Sequence, residues 1–142
     1  YHMIKVQNPA PVNLYKWFAA SGGAKAGQLV KSSSGAAPVA AGHTGQTILG
    51  VAVTTQATQN AEIVIQPVNG AILEIPFYAS ATKQSCVVTD LGTQFDMNVN
   101  GTSGDMTVDL DDTTGGFLIL VGYDNDKKVG FFTIDPGDLL LA

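Results

Sequence analysis

Short β-rich segments, separated by glycine, asparagine, aspartate and proline, run through almost the whole sequence. Their spacing of about 8 to 12 residues is typical of β-sandwiches and β-barrels. No stretch has both the length and the 3.6-residue apolar period of a long helix. We therefore expect an all-β chain, or a β-rich one with minor short helices. The predicted strands are 4–7, 14–19, 28–32, 48–55, 62–68, 71–77, 85–89, 94–99, 105–110, 116–123 and 129–134.

Three turn signals predict hairpins between consecutive strands. The strongest is Asn69-Gly70, which lies between two apolar β-rich runs and can supply the two positive φ angles of a type I′ turn. Asn100-Gly101 predicts a second hairpin, and Asp124 to Asp126 predicts a third.

The segment Phe117 to Val121 is apolar at every position. Because successive side chains of a strand point to opposite faces, this pattern predicts a strand covered on both faces. We place it at the centre of the core, with Phe131, Phe132 and Ile134 pairing beside it across a short turn.

The chain of 142 residues fits one domain. Near its amino terminus, apolar and polar residues alternate from 4 to 7, and Pro9 and Pro11 follow. Prolines disfavour continued pairing within a sheet, so we predict that residues 3–13 form an extended N-terminal arm and that residues 14–142 form a single β-barrel domain. Tyr1 and His2 precede Met3, and we expect them to come from a cloning junction.

Composition argues against several classes of partner. The chain has seven lysines, no arginine and twelve acidic residues, so its net charge is -5. A protein that binds a phosphate backbone needs clustered cations, and we therefore expect no nucleic acid. The longest apolar run is far shorter than the roughly 20 residues of a membrane helix, so we expect no membrane partner. Cys86 is the single cysteine, which excludes an internal disulfide and a cysteine-based zinc site.

The glycine-containing run from Ala40 to Thr47 invites comparison with a phosphate-binding loop. Gln46 stands where the essential lysine of that motif belongs, and the segment that follows is β-branched instead of helical. Little remains to hold a triphosphate. The run therefore predicts a surface turn that leads into a strand, with no bound cofactor.

Catalytic and metal sites are not predicted either. His43 is the one plausible catalytic histidine, and its polar loop predicts an exposed side chain. Around Ser103, Gly104 falls one position early and Asp105 stands where the second glycine of a nucleophile elbow belongs. The densest acidic group is Asp105, Asp109, Asp111 and Asp112, whose spacing differs from that of a calcium-binding loop. We expect these aspartates to be solvated turn residues, and the protein not to be an enzyme.

An aromatic cluster lies in the segment "LYKWF". In a strand, Tyr15 and Trp17 share one face, whereas Leu14, Lys16 and Phe18 share the other. We expect one of these faces to join the core. A subunit interface is the second hypothesis, because tryptophan and tyrosine concentrate at such surfaces.

The segment from Ala26 to Pro76 contains "AGQLVK", a Gly/Ala-rich stretch, "LGVAV" and "VIQPVNGAILEI". In this order the motifs resemble the small head proteins of tailed bacteriophages that decorate the capsid, the group with the lambda-type head-decoration fold. The resemblance covers about a third of the chain. It implies a β-barrel or β-tulip domain, usually trimeric, on the outside of the expanded icosahedral shell.

The resemblance also implies that the arm pairs with the major capsid protein. Strand addition suits that role, because main-chain hydrogen bonds give affinity and alternate side chains fill pockets. Capsid-binding candidates are Ile4, Lys5, Val6, Gln7 and Pro9, and candidates for a subunit interface are Tyr15, Trp17, His43 and Thr44.

Two alternatives remain open at this point. The same β-domain could serve as another virion module, such as a head fibre, a spike or a tail component. It could also be a small-ligand-binding or hydrolytic barrel, in which His43 and the aspartates of 105–112 would converge on a pocket.

Overall fold

A computed structural model describes residues 4–7 and 13–140. The described chain is all-β, as the sequence predicts, apart from two short 3-10 turns at Val88–Asp90 and Pro136–Asp138. Its strands are β1 (Lys5–Gln7), β2 (Tyr15–Phe18), β3 (Leu29–Ser32), β4 (Ala36–Pro38), β5 (Ile48–Ala52), β6 (Glu62–Gln66), β7 (Ile72–Pro76), β8 (Gln94–Val99), β9 (Met106–Asp109), β10 (Leu118–Asp124) and β11 (Val129–Ile134).

The strands form two antiparallel sheets. The six-stranded sheet has the order β1-β7-β11-β10-β8-β9, and the five-stranded sheet has the order β2-β6-β5-β3-β4. In the first, Phe77 continues from β7 and bridges to Val108 in β9; in the second, Ala19 continues from β2 and bridges to Ala36 in β4. The predicted β-barrel architecture therefore takes the form of two sheets, one of which is a curled half-barrel.

Apolar side chains pack in two clusters. The main cluster joins both sheets, with Leu29 and Val51 from the five-stranded sheet and Leu73 and Phe132 from the six-stranded sheet. The second cluster contains Val30, Leu49, Ile63 and Ile65, together with small alanines, and belongs to the five-stranded sheet alone. Strand β5 is buried at all five positions because it contributes to both clusters, with Ile48 and Val51 in the main cluster and Leu49 and Ala52 in the second.

The Asn69-Gly70 turn forms, but the predicted hairpin is wrong. The N–H of Ala71 donates to the Val68 carbonyl at 3.0 Å. Only Gly70 of the two central residues has a positive φ, 73°, which makes the turn type II instead of type I′. A type II turn does not match the twist of a paired hairpin. Here it carries the chain from β6 in one sheet to β7 in the other.

The other two predicted hairpins are confirmed. Strands β8 and β9 pair from Asp96↔Asp109 to Val99↔Met106, and Asn100 closes the loop between them by donating its N–H to the Asp105 carbonyl. Strands β10 and β11 also pair, and the Asp124 carboxylate accepts from two main-chain N–H groups in their turn.

Strand β10 lies inside the six-stranded sheet beside β11, as predicted. Phe117, Leu118 and Leu120 are buried, but Val121 is 46% exposed. The pairing with β11 shifts register between Leu120 and Gly122, so a bulge places Val121 at the surface. The expectation that this strand is covered on both faces is therefore wrong at Val121.

One further prediction needs correction. Residues 85–89 do not form a strand, because the chain turns into the 3-10 segment Val88–Asp90. Ala36–Pro38 is an additional strand within the Gly/Ala-rich stretch of the sequence. Gly35, just before it, approaches the main chain so closely that an added Cβ would lie 2.6 Å from the Ala20 nitrogen. Small residues here thus allow two backbones to meet.

Candidate interaction surfaces

The described part of the predicted arm, residues 4–7, is extended, but it lies along the domain's own sheet. Lys5 pairs with Glu74 and Val6 with Leu73 in an antiparallel register. Ile4 is only 3% exposed and belongs to the main cluster, and its N–H donates to the Gly27 carbonyl at 3.0 Å. Ile4 therefore anchors the segment and leaves little of its side chain exposed, and its assignment as a capsid contact stays a prediction. Pro9 lies outside the described residues.

Strand β1 is an edge strand. Within the described residues it pairs only with β7, so its other side has no partner strand. Lys5 lies on this edge with 67% of its side chain exposed, and its Nζ is 3.3 Å from a Glu74 carboxylate oxygen. Free N–H and C=O groups on such an edge can pair with a strand from another chain.

Tyr15 and Trp17 share one face, as the alternation predicts, and this face packs against the second cluster, whereas Lys16 and Phe18 are exposed. The Tyr15 hydroxyl donates to the Leu49 carbonyl at 2.7 Å, and burial raises the pKa of Tyr15 to about 12. The Trp17 ring stacks on Phe18, with centroids 5.8 Å apart. A role for Tyr15 and Trp17 in a subunit interface stays a prediction.

His43 is buried, at 7% exposed, which corrects the expected exposure of its side chain. Its ring packs edge-on against Phe117, with centroids 5.5 Å apart, and its Nε2 lies 3.1 Å from the Gly45 carbonyl oxygen. Thr44, the next residue, is exposed. Of these two interface candidates, only Thr44 therefore presents a surface to a partner.

The glycine-containing loop from Ala40 to Thr47 is held by a carboxylate of the protein itself, that of Asp96. The Gly42 N–H lies 2.8 and 2.9 Å from the two carboxylate oxygens, and the N–H of Met97 donates to one of them at 2.8 Å. Asp96 is 3% exposed and lies on β8 between Phe95 and Met97. An acidic residue inside an apolar strand was the sequence signal for this contact, and it was missed.

The aspartates of 105–112 mostly bind main-chain N–H groups. Asp109 accepts from Asp111, whose own carboxylate accepts from Thr82 and Lys83. Within residues 4–7 and 13–140, no group of three or more acidic, histidine or cysteine residues could hold a metal ion. A depression of about 240 Å³ beside Asp105 is lined by Tyr78, Asn98, Thr107 and their neighbours, and not by His43. The histidine and the acidic group do not share this depression.

An exposed apolar surface lies where the sequence predicted the missing strand. Val87, Val88 and Leu91 are 56%, 72% and 45% exposed. The next residue, Gly92, donates its N–H to the Leu120 carbonyl, which places the segment beside the bulged Val121 of β10. We call Val87, Val88, Leu91 and Val121 the valine face. The adjacent pair Val87-Val88 among polar residues was its sequence signal.

Several polar contacts fix the segment that carries the valine face. The N–H of Val87 donates to the Asp90 carboxylate at 2.8 Å, and Lys83 binds the same carboxylate, also at 2.8 Å. The hydrogen bond from Lys83 and the one from Val87 hold the pKa of Asp90 below its usual value. Lys83 also lies 5.8 Å from the centroid of the Phe95 ring.

Comparison of the sequence with models of known protein families and with curated proteins finds no match. In the described part of the chain, the helices are all too short or too polar to cross a membrane.

Proposed function

We propose that this chain is a decoration protein of a tailed-bacteriophage head. In this role it binds the major capsid protein on the outer surface of the expanded shell, bridges neighbouring subunits as a homotrimer and stabilises the virion head. The observation that carries the proposal is the open edge of β1, at the amino-terminal end of a compact β-domain.

An open edge strand is a binding element in itself. A partner strand that pairs with it gains main-chain hydrogen bonds without needing a pocket. Strand β1 is only three residues long, and the buried Ile4 directly before it fixes its position. A partner strand would therefore meet a template that is already ordered, which reduces the entropy lost on binding.

The segment that resembles head-decoration proteins is continuous with this edge. Residues 26–76 supply β3, β4, β5 and β6 of the five-stranded sheet, and they also supply β7, the strand on which β1 lies. The motif "VIQPVNGAILEI" spans the crossing between the two sheets. The residues that carry the resemblance therefore include those that position β1. The resemblance and the open edge of β1 thus both support the same proposed function.

Stabilisation of a shell needs no bond to be made or broken. A protein that binds the assembled shell and not its dissociated subunits shifts the balance toward the shell by mass action. Each copy that contacts more than one subunit also benefits from the high local concentration of the second site. Packed DNA would then have to break these contacts as well as those of the shell.

Binding to expanded capsids tests the role of β1 through two charge reversals. Lys5→Glu places a second carboxylate beside Glu74 on the β1 edge, while the exposed Lys5 side chain makes little contribution to folding. Lys16→Glu is a matched control, because Lys16 is also an exposed strand lysine that faces a glutamate, Glu62, on the neighbouring strand. Lys5→Glu alters the β1 edge of the six-stranded sheet, whereas Lys16→Glu alters the β2 edge of the five-stranded sheet.

We expect Lys5→Glu to lower the amount of protein bound to expanded capsids about tenfold, a change of about 1.4 kcal/mol. Lys16→Glu should bind like the unaltered protein. If both variants bind as the unaltered chain does, the β1 edge is not the capsid contact. If the unaltered chain itself does not bind expanded capsids, the proposed function is wrong.

A further inference from the structure

We propose that the depression beside Asp105 is a binding site for one ring of a neutral saccharide. Capsid binding does not require such a site, and the inference does not rest on the capsid role. The depression holds about 240 Å³. This volume lies just below the roughly 300 Å³ at which pockets for drug-sized ligands begin, so it suits a ligand of about one sugar ring.

The depression forms beside the bridge that joins the end of β7 to β9. Phe77 bridges to Val108, and the Tyr78 N–H donates to the Val108 carbonyl at 2.8 Å. The chain then turns, with the Ala81 N–H donating to the Tyr78 carbonyl. Residues 78–80 form one wall of the depression, and the β8–β9 hairpin forms the other. The polar and aromatic lining residues are Tyr78, Ser80, Asn98, Asn100, Asp105 and Thr107.

The face of the β8–β9 hairpin that lines the depression is polar. Asn98 pairs with Thr107, and the Asn100 N–H donates to the Asp105 carbonyl at 2.9 Å. Because residues two apart along a strand share a face, these four side chains lie together. Thr107 is only 8% exposed, so this polar face is a recess and not an open surface. The opposite face packs in the main cluster through Met97, Val99, Met106 and Val108.

Asp105 lacks a partner for one of its carboxylate oxygens. Oδ1 is buried and accepts no hydrogen bond within the described residues. A buried carboxylate oxygen without a partner lowers stability, and in a folded protein each such group calls for an explanation. Since Oδ1 is covered, a molecule in the depression can bind this carboxylate only through Oδ2. A hydroxyl that donates to Oδ2 would stabilise the negative charge.

A hydrogen-bond donor lies beside this carboxylate. The Asn100 Oδ1 accepts from the N–H groups of Thr102 and Ser103 at 2.8 and 2.9 Å. The Asn100 Nδ2 is therefore left to donate to a ligand. A hydroxyl group both donates and accepts, so it can bind a carboxylate and an amide N–H together. An ammonium or metal ion offers no acceptor to the amide, so the pair favours a hydroxyl-bearing ligand over a cation.

An aromatic ring and the charge of the site narrow the ligand further. Tyr78 is half-buried and contributes an apolar ring to the lining, on which C–H groups can pack. A saccharide carries hydroxyls around its edge and C–H groups on its faces, so it matches this combination. The Asp105 carboxylate and the net charge of -5 repel acidic sugars. The site therefore favours a neutral ring.

The wall formed by residues 78–80 is fixed from behind before a ligand arrives. The Gln84 Nε2 donates to the carbonyls of Tyr78 and Ala81 at 2.8 and 2.7 Å. The Asp111 carboxylate then accepts from the next two main-chain N–H groups, those of residues 82 and 83. Little conformational freedom is therefore left to lose when a ligand binds.

A site for one ring predicts weak binding by each copy. At about 0.3 kcal/mol for each of roughly twelve non-hydrogen atoms, the Kd is on the order of 1 mM. If the chain also decorates a shell, many copies would face the same glycan polymer. Their combined binding would then be much stronger than that of a single copy.

Titration of the isotope-labelled full chain with simple glycosides, followed by the NMR shifts of its main-chain amides, tests the inference. The neutral probes are methyl glucoside, methyl galactoside and methyl mannoside, each raised to about 50 mM, well above the expected Kd. The acidic probe is the methyl uronide of whichever ring binds, in which a carboxylate replaces the hydroxymethyl group. The n-butylammonium ion is the cationic probe.

The variant that tests the site is Asp105→Asn, which keeps the shape of the side chain and removes its charge. Asp126→Asn is the matched control, because Asp126 lies at the exposed tip of the β10–β11 hairpin. Asp105→Asn removes a charge whose Oδ1 has no partner, so it should unfold at no lower temperature than the unaltered chain. Asn98→Ala is a second variant in the lining.

We expect at least one neutral glycoside to shift the amides of residues 78–80 and 98–107, and its uronide to bind at least about tenfold more weakly. Asp105→Asn should lower the affinity for the neutral glycoside about tenfold or more and should reduce the discrimination against the uronide. Asn98→Ala should lower the affinity about fivefold, and Asp126→Asn should bind like the unaltered chain.

Three results would overturn the inference. They are the absence of amide shifts in residues 78–80 and 98–107 with all three neutral glycosides, tighter binding of n-butylammonium than of any glycoside, and unchanged glycoside binding by Asp105→Asn.

The site and the proposed function can fail separately. Strand β1 does not line the depression, so Lys5→Glu should leave glycoside binding unchanged. A chain that binds a neutral glycoside but never binds expanded capsids would sustain the saccharide site and overturn the capsid role. A chain that binds capsids but no glycoside would do the reverse.

Discussion

The side chain of Asn125 binds both main-chain groups of Cys86. Its carbonyl oxygen accepts from the Cys86 N–H at 2.8 Å, and its amide nitrogen donates to the Cys86 carbonyl at 2.9 Å. One side chain in the β10–β11 turn thereby replaces the strand pairing that residues 85–89 lack. The Cys86 thiol is itself buried, and burial together with the Asp90 carboxylate raises its pKa against the opposing effect of Lys83.

Removing this side chain should loosen the segment that carries the valine face. Asn125→Ala leaves two main-chain groups unpaired, so we expect the free energy of unfolding to fall by about 2 kcal/mol. Cys86 should also react faster with a thiol reagent at pH 8. Denaturant unfolding and the rate of thiol modification measure the two effects. Asn13→Ala, at an exposed position, is the control; equal stability and thiol reactivity for the two variants would count against the role of Asn125.

Gly50 should tolerate no side chain. Its φ is 151°, and an added Cβ would overlap the Gln66 carbonyl on the neighbouring strand β6. We expect Gly50→Ala to destabilise the fold by at least about 3 kcal/mol, since it combines strain with a backbone clash. Gly70→Ala is the matched comparison, because Gly70 has a φ of 73° but open space around it, and it should cost only about 1 kcal/mol. Similar thermal unfolding of both variants would contradict this account of β5.

The loop that resembles a phosphate-binding loop should depend on Asp96. Asp96→Asn replaces one carboxylate oxygen with a donor that faces main-chain N–H groups, so we expect a loss of about 2 kcal/mol in stability. Amide exchange of residues 41–46 should accelerate in this variant. Asp126→Asn, at the exposed hairpin tip, should change neither quantity. Unchanged exchange in Asp96→Asn would show that the loop is held by other contacts.

Tyr15 should make stability depend on pH in the alkaline range. Burial raises the pKa of the folded state to about 12 from its usual 10.0, so the unfolded chain loses this proton first. The contribution of Tyr15 is therefore fully present below pH 10 and declines as pH rises toward about 12. At pH 8, the free energy of unfolding of the unaltered chain should exceed that of Tyr15→Phe by about 1 kcal/mol, because the variant lacks the hydrogen bond to Leu49. This difference in free energy should shrink above pH 10.

Tyr123→Phe is the control, because it removes a tyrosine hydroxyl from the other sheet. A difference between the unaltered chain and Tyr15→Phe that stays constant up to pH 12 would mean that the hydroxyl is not buried as described.

Period-two patterns in the sequence predict most of the strands, because each strand buries one face and the alternation records it. Which strands pair is a different question, and Asn69-Gly70 shows why. The two residues predict a turn correctly, but whether the flanking strands pair depends on which sheet buries each of them. That choice is made by contacts distant in sequence, such as Val6 with Leu73 and Lys16 with Val64.

The candidate surfaces were harder to predict for a similar reason. A polar loop favours an exposed histidine, yet His43 is buried because Gly42 is tied to Asp96, 54 residues away. Val87 and Val88 look like part of a strand, and only their lack of a pairing partner leaves them at the surface. The alternation of Tyr15 and Trp17 predicted correctly that the two side chains share a face, since the residues of a single strand determine it, but it did not predict which of the two faces packs inward.

The central claim is that this chain binds the outside of an expanded bacteriophage shell in many copies. Electron cryomicroscopy of expanded capsids mixed with the protein tests it directly. The account predicts density at every local three-fold position of the outer surface, with β1 beside a strand of the major capsid protein. Density at a few vertices or on the tail would instead indicate a spike or tail module, and bare capsids at saturating protein would contradict the capsid role.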